Sequence, residues 1–313
     1  MKKIRFIVVG TGVVGERIIQ QIQQHDQAEI VAIVDEQQDR LQQMATTYQL
    51  PIAHTYEEAL ALSPDWVYIG TPPATHASLA QQAIKKGLRV LCEKPLAHDV
   101  AEAELMAKIA NDSQVETAMH FPLMYSAAVA EMKNLLQQDA IGAVQRIELH
   151  THFHVWPRPW QQNNWIGTRK QGGFVREVFP HYLQLMYSLF GELSIQQYDT
   201  TYPKDPQLCE TGVLAFGSTT AQIPFLLNGL AGIGQEEELS FIVYGETGVL
   251  KLRNWSELYR SDKNGPFERL TNLSSSTSLI DACVRVAEGK AATTVSFEEG
   301  LIVQRLIDHL LTE

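Results

Sequence analysis

A chain of 313 residues, 45% apolar and 19% charged, has the length of one or two domains and enough apolar material to bury a core. Its formal net charge of −11 argues against non-specific nucleic-acid binding, although a local pocket can still carry the opposite sign. No apolar run reaches the ~18 residues of a membrane span, and three cysteines without metal-type spacing (Cys92, Cys209, Cys283) fit a reduced, cytoplasmic protein.

In chain order, "MKKIRFIVVG" pairs a basic start with a short apolar run. It reads as a first strand rather than a signal peptide, because a glycine loop follows at once and a small-residue cleavage site does not. Apolar β-type runs at 4–9, 30–34, 66–69, 88–91 and 115–119 alternate with helical spacing at 13–24, 38–48, 56–62, 76–86 and 99–110. Strands apolar on both faces, separated by helices, predict a parallel sheet covered on both sides over residues 1–121.

Near residue 121 the texture changes. A helical "SAAVAEMKNLLQQ" leads into "IGAVQRIELHTHFHV", which alternates as a strand does, and a helix follows at about 177–189. β-type segments come at 207–216, 220–227, 238–244, 248–252 and 256–260, and helical stretches at 277–288 and 297–312 close the chain. "SSSTS" reads as a loop and helix N-cap. Residues 122–313 are therefore expected to form an α+β domain on a largely antiparallel sheet.

The first strand ends in "GTGVVG", a G-x-G-x-x-G that follows a strand and opens a helix. Gly10 permits the tight turn, Gly12 lets a pyrophosphate approach the backbone at the positive end of the helix, and Gly15 allows close helix–strand packing. Thr11, Val13 and Val14 complete this candidate dinucleotide loop of a Rossmann-type, doubly wound sheet. Asp35 ends the second strand twenty residues after Gly15, where a carboxylate accepts hydrogen bonds from the adenosine ribose. It repels a 2′-phosphate, and Glu36-Gln37-Gln38 offers no arginine to bind one. NAD is favoured over NADP, with Arg40 the residue that speaks for NADP.

"GTGVVGERI", "VYIGTPPATHASLAQQAIKKGLRVLCEKPLA", "IGAVQRIEL", "GGFVREVFPHYLQLMYSLFG" and "IVYGETGVLKL" together resemble the glucose-fructose oxidoreductase / inositol dehydrogenase (Gfo/Idh/MocA) family over nearly the whole length. The resemblance implies an NAD(P)-dependent oxidoreductase acting on a hydroxyl or carbonyl of a small sugar, polyol or cyclic diol. It implies that Lys94 lies beside the nicotinamide and the reacting carbon, where a fixed cation stabilises alkoxide-like charge. By the same resemblance Thr71 and Pro72 run past the phosphates and nicotinamide ribose, and Glu93 reaches the nicotinamide side. His76 either contacts that ribose or caps the following helix. The peptide before Pro95 is often cis in such proteins.

His181 matches the family's histidine, and a side chain with pKa near ~6.5 suits removal of a hydroxyl proton. Glu177 stands where the family usually has Asp, on the same helical face at i and i+4, placed to orient the imidazole or contact a substrate hydroxyl. The extra methylene points to a substrate unlike those of the best-known members. Arg176 either binds substrate or pairs with Glu177, and Met124 stands where many members carry a site arginine.

In "HTHFHVWPRPWQQNNW", residues 150–165, His150, His152 and His154 would share one strand face. Their ~6.5–7 Å spacing along a strand suits three ligands on one ion poorly, so a metal is not expected. Trp156, Trp160 and Trp165 either stack on sugar-like substrates or anchor the loop, and Arg158, Arg169 and Lys170 could receive an anionic group. A homodimer or homotetramer through the C-terminal sheet follows from the resemblance alone. Two other readings stay open: a non-catalytic NAD(P)-binding sensor, and a glycosidase that borrows and returns the hydride.

Overall fold

The computed structural model describes residues 2–161 and 164–312. Its first part alternates strand with helix, with two helices in succession between β2 and β3: β1 (Ile4–Val9), α1 (Val13–Gln23), β2 (Ala28–Val34), α2 (Gln38–Tyr48), α3 (Tyr56–Ala61), β3 (Trp66–Ile69), α4 (His76–Ile84), β4 (Arg89–Cys92), α5 (Val100–Ser113) and β5 (Thr117–Met119). The strands form one parallel sheet in the order β2-β1-β3-β4-β5. Phe6, Ile7, Val8 and all of β3 are buried, as strands covered by helices on both faces must be. Polar side chains set the helix starts. Thr55 and Glu58 form a reciprocal capping box before α3, and Asp99 accepts the Glu102 N–H ahead of α5. Because β1 lies between β2 and β3, the strand order reverses there, which opens a crevice beyond the C-terminal ends of β1 and β3.

The later elements are α6 (Ala127–Gln137), β6 (Val144–Phe153), α7 (Phe174–Glu177), α8 (Phe179–Phe190), β7 (Leu193–Thr201), β8 (Gly212–Thr219), β9 (Pro224–Ala231), β10 (Glu238–Gly245), β11 (Gly248–Arg253), β12 (Glu257–Asp262), β13 (Glu268–Arg269), α9 (Leu279–Ala287) and α10 (Phe297–Leu311). Among the described residues, β6 to β13 make an eight-stranded sheet in the order β13-β12-β11-β10-β6-β9-β8-β7. Every pairing is antiparallel except β6 with β9. Alternation puts Ile147, Leu149 and Phe153 of β6 on the same buried face as Phe225 and Leu227 of β9 and Phe241 and Val243 of β10. Aromatic side chains fasten the helices to that face: Phe174 meets Phe153 at 5.4 Å between ring centroids, and Tyr182 stacks on Phe241 at 6.3 Å.

The structure adds three features to the expected order of elements. The helix expected at about 177–189 is α8, and a separate one-turn helix, α7, precedes it, the two meeting at Val178 (φ −113°, ψ −45°); Pro180 sits in the first turn of α8. Strand β7 carries few large apolar residues ("LSIQQYDTT"), so alternation alone did not reveal it. Residues 122–313 contribute to two compact units. The chain divides into Met1–Phe121 with Thr277–Gln304, and Pro122–Ser276 with Arg305–Glu313. Specific bonds hold the returning segment on the first unit. Trp66 Nε1 donates to the Cys283 carbonyl (2.9 Å), Met119 N to the Val295 carbonyl (2.7 Å), and Phe297 N to Thr117 Oγ1 (3.1 Å). Among the described residues no helix is long and apolar enough to cross a membrane.

Candidate active site

The glycine loop is built by close approaches. Gly10 has φ +89°, and a Cβ there would lie 2.6 Å from the Gly70 carbonyl carbon; a Cβ on Gly15 would lie 2.1 Å from the Gly10 oxygen. Gly12 differs, with nothing within 4 Å of the Cβ position. It is the N-cap of α1, where no side chain caps the helix, and Val13 beside it is 67% exposed. Open space over the uncapped positive end of a helix fits a pyrophosphate. Asp35 is partly engaged by the loop: its Oδ2 accepts from Thr11 N (2.7 Å) and Thr11 Oγ1 (2.8 Å), and its Oδ1 from Gln37 N (2.9 Å). Lone pairs on Oδ1 remain for ribose hydroxyls. These residues fit a dinucleotide, with Gly10–Gly15 at the phosphates and Asp35 at the ribose.

Lys94 follows β4, two strands from β1, and the Lys94–Pro95 peptide is cis. Its neighbours are pinned from two sides. Glu93 is buried (9% exposed), faces inward and accepts from Tyr68 OH (2.9 Å) and His120 Nδ1 (2.5 Å). Burial by itself would raise its carboxyl. His120, the Tyr68 hydroxyl and the Lys94 charge outweigh that and hold it below the usual carboxylate range. Glu93 is therefore not a strand-end carboxylate in water. His76 is wholly buried, with Nδ1 3.0 Å from the Pro95 carbonyl and Nε2 2.8 Å from the Thr71 carbonyl. Thr75, not His76, occupies the N-cap of α4. His76 thus does not cap α4, and it ties the Thr71-Pro72 loop to the Lys94-Pro95 turn. Burial keeps its pKa below the ordinary value, against the pull of the two carbonyls. Thr71 and Pro72 stay at the surface, Thr71 Oγ1 accepting from Thr75 Oγ1 (2.7 Å).

In the second unit, His181 lies in the first turn of α8 and Glu177 ends α7, so they do not share one unbroken helical face. The His181 ring packs edge-on against Trp255 (5.4 Å), which also stacks on Tyr182 (5.1 Å). Trp255 and Asn254 both hold positive φ, +72° and +46°, in the β11–β12 turn. Gly172 and Gly173 are required sterically. A Cβ on Gly172 would meet the Ile166 oxygen at 2.0 Å, and one on Gly173 (φ +101°) would meet Glu210 Oε2 at 2.2 Å. Glu210 is buried and accepts the Val175 N–H (2.8 Å); burial pushes its pKa up to about 7, against the pull of that N–H and of Arg176.

The three loop tryptophans part company. Trp156 is packed against Phe153 (5.0 Å) and Phe174 (6.1 Å), with Arg158 over its ring. Trp160 is 67% exposed, and Trp165, with Arg169 and Lys170, lines a depression of about 600 Å³. Gln162 and Asn163 of the same loop lie outside the described residues. Arg158 is committed to Glu237 through two 2.8 Å bonds, and Arg169 lies over the Tyr202 ring at 3.7 Å. His150 pairs with Glu148 (2.8 Å) and Asn228, His152 reaches Gln235, and His154 Nδ1 lies 2.8 Å from the Ile233 carbonyl.

Family sequence models match the chain twice: the oxidoreductase family's NAD-binding Rossmann fold at residues 4–121, and its C-terminal alpha/beta domain at 133–312. The chain belongs to the Gfo/Idh/MocA family. An uncharacterized oxidoreductase of Synechocystis sp. is 25% identical over 340 residues, covering 96% of this chain and 91% of its own. A crystal structure from Desulfitobacterium hafniense, of an oxidoreductase whose name invokes NADPH, superposes with TM-score 0.89 at 15% identity, covering 99% of this chain and 95% of that one. Levoglucosan dehydrogenase in complex with NADH and L-sorbose gives TM-score 0.83 at 17% identity, covering 99% and 96%. At such identities the two structures establish the shared fold and leave the choice of NAD or NADP open.

This Gfo/Idh/MocA oxidoreductase carries a glycine loop after β1 and a Glu-Lys-Pro turn after β4. The sequence does not point to the supports of that turn, Tyr68 and His120, which hold Glu93, nor, in the other unit, to Glu210 at the start of α7 and Trp255 beside His181. His120 carried one signal, a histidine ending a strand just before "FPLMY". The others had none, because their partners are remote in the chain.

Proposed function

We propose that this oxidoreductase transfers a hydride between NAD and a hydroxyl or carbonyl carbon of a small sugar, polyol or cyclic diol. The observation that carries the reading is the Glu93-Lys94-Pro95 turn. It stands at the C-terminal edge of a parallel sheet, is braced by buried Glu93 and buried His76, and shares that edge with an open glycine loop. NAD supplies the hydride acceptor. Lys94 stabilises negative charge on the hydroxyl oxygen as its proton leaves, and His181 takes that proton. Glu177 orients the imidazole or a substrate hydroxyl, and Arg176 assists substrate binding. Exposed Trp160 and Trp165 offer faces for a sugar ring, whereas Trp156 serves packing. The sugar named for the levoglucosan dehydrogenase neighbour supports the substrate class. Asp35 supports NAD. Three buried thiols, with Cys209 pushed up to about 12 by burial, suit a reducing cytoplasm.

The test is calorimetric binding of NAD and NADP, followed by a polyol and sugar panel read by NADH absorbance. Lys94→Met is expected to lower turnover at least about 100-fold, as loss of an electrostatic stabiliser does, with NAD affinity kept within about threefold. Full turnover in that variant sinks the assignment of Lys94. NAD binding without turnover on any substrate moves the protein to the sensor reading, and glycoside cleavage without net NADH to the glycosidase reading.

A further inference from the structure

Arg40 lies on α2, five residues after Asp35. Its Nε donates to the Thr11 carbonyl (2.8 Å) and its Nη2 to Glu16 Oε2 (2.7 Å). The other Glu16 oxygen accepts from Tyr48 OH (2.8 Å), and Gln20 Nε2 donates to that hydroxyl (2.7 Å). Thr11 meanwhile gives its N–H and hydroxyl to Asp35. The guanidinium and the expected ribose carboxylate therefore hold the same loop residue. We propose that Glu16 sets the choice between NAD and NADP by neutralising Arg40, with Tyr48 as the latch that keeps Glu16 in place.

An arginine close to the ribose carboxylate is the side chain that accommodates a 2′-phosphate in NADP enzymes. Here it is spent on a charge-assisted bond to Glu16 and on a backbone carbonyl. Glu16 and Arg40 are similarly half-buried, with side chains 29% and 27% exposed. Glu16 also sits in the first turn of α1, where the helix dipole favours its charge. In the sequence, Arg40 is the residue that speaks for NADP. The clasp cancels that argument without removing the arginine. Asp35 is left to repel a 2′-phosphate, with no uncompensated cation from Arg40 to oppose it.

The inference rests on the dinucleotide reading of the glycine loop, and the experiment separates the two. The purified full-length chain is titrated calorimetrically with NAD and with NADP, as wild type, Glu16→Gln, Tyr48→Phe and the double variant Glu16→Gln/Arg40→Ala. Glutamine keeps the shape and an acceptor for Tyr48 but frees the Arg40 charge. NADP is expected to bind Glu16→Gln about tenfold more tightly, as one new charge-assisted contact allows, with NAD changed by less than about threefold. Tyr48→Phe should move the ratio the same way by less, and Arg40→Ala in the double variant should abolish the gain. A wild type that prefers NAD, combined with an unchanged ratio in both Glu16→Gln and Tyr48→Phe, overturns the clasp and leaves the NAD reading standing. A wild type that binds NADP as tightly as NAD overturns both, and no binding of either removes the dinucleotide reading itself.

Discussion

Lys94 owes its position to neighbours it does not resemble chemically. Glu93 turns inward to Tyr68 and His120, and the Pro95 carbonyl meets His76. Replacing His76 by Ala removes the one ring N–H that a neutral imidazole can give to the Thr71 or Pro95 carbonyl and opens a cavity. The expected cost is about 2–4 kcal/mol, read as a lower urea midpoint at unchanged slope, together with weaker NAD binding. Gly173→Ala makes a similar point in the other unit. Its Cβ would meet Glu210 at 2.2 Å in a left-handed backbone, so a loss of more than about 1 kcal/mol is expected in the same assay. The motifs that contain Lys94, His181 and the loop glycines stand out in the sequence because they are local patterns. The buried role of His76 does not: one of its partners is 19 residues away, and burial is not written in a residue's identity.

Helix α7 is only one turn long, and Glu210, which lies just before β8, holds its start through the Val175 N–H. The folded carboxyl titrates near 7, above its ordinary 4.5. Between those values the folded state binds the proton that the unfolded state has lost, so stability falls as pH rises. The size is roughly 3 kcal/mol across that window. His76 acts in the opposite sense, gaining stability up to its ordinary 6.5 because its folded pKa is depressed. The clean measurement is therefore the difference between wild type and Glu210→Gln in urea unfolding from pH 4.5 to 7.5. Wild type should lose ground steadily against the variant, and a flat difference would mean an ordinary carboxylate. The strand–helix alternation of the first unit was readable element by element, since period and burial agree there. The break at Val178 was half visible, through Pro180, and β7 was hidden by its polar composition.

At the scale of the molecule, strands β8 and β9 expose an apolar group on the outer face of the large sheet. Leu214 and Phe216 of β8 and Leu230 of β9 are 55%, 45% and 42% exposed, and register places them on one side of the sheet. Such a patch suits a self-complementary interface with a second copy. Light scattering should show a dimer or tetramer, and Phe216→Lys should lower that mass while leaving NAD affinity unchanged. A wild-type monomer would end the idea. Sequence alone was enough for the parallel sheet and the family, because the strand–helix alternation and each separate motif rest on residues close together in the chain. Only the tertiary structure could return Thr277–Gln304 to the first unit, bury Glu93 and His76 behind Lys94, and lock Arg40 onto Glu16. Those outcomes depend on contacts between residues 19 to 217 positions apart, and a local pattern cannot encode them.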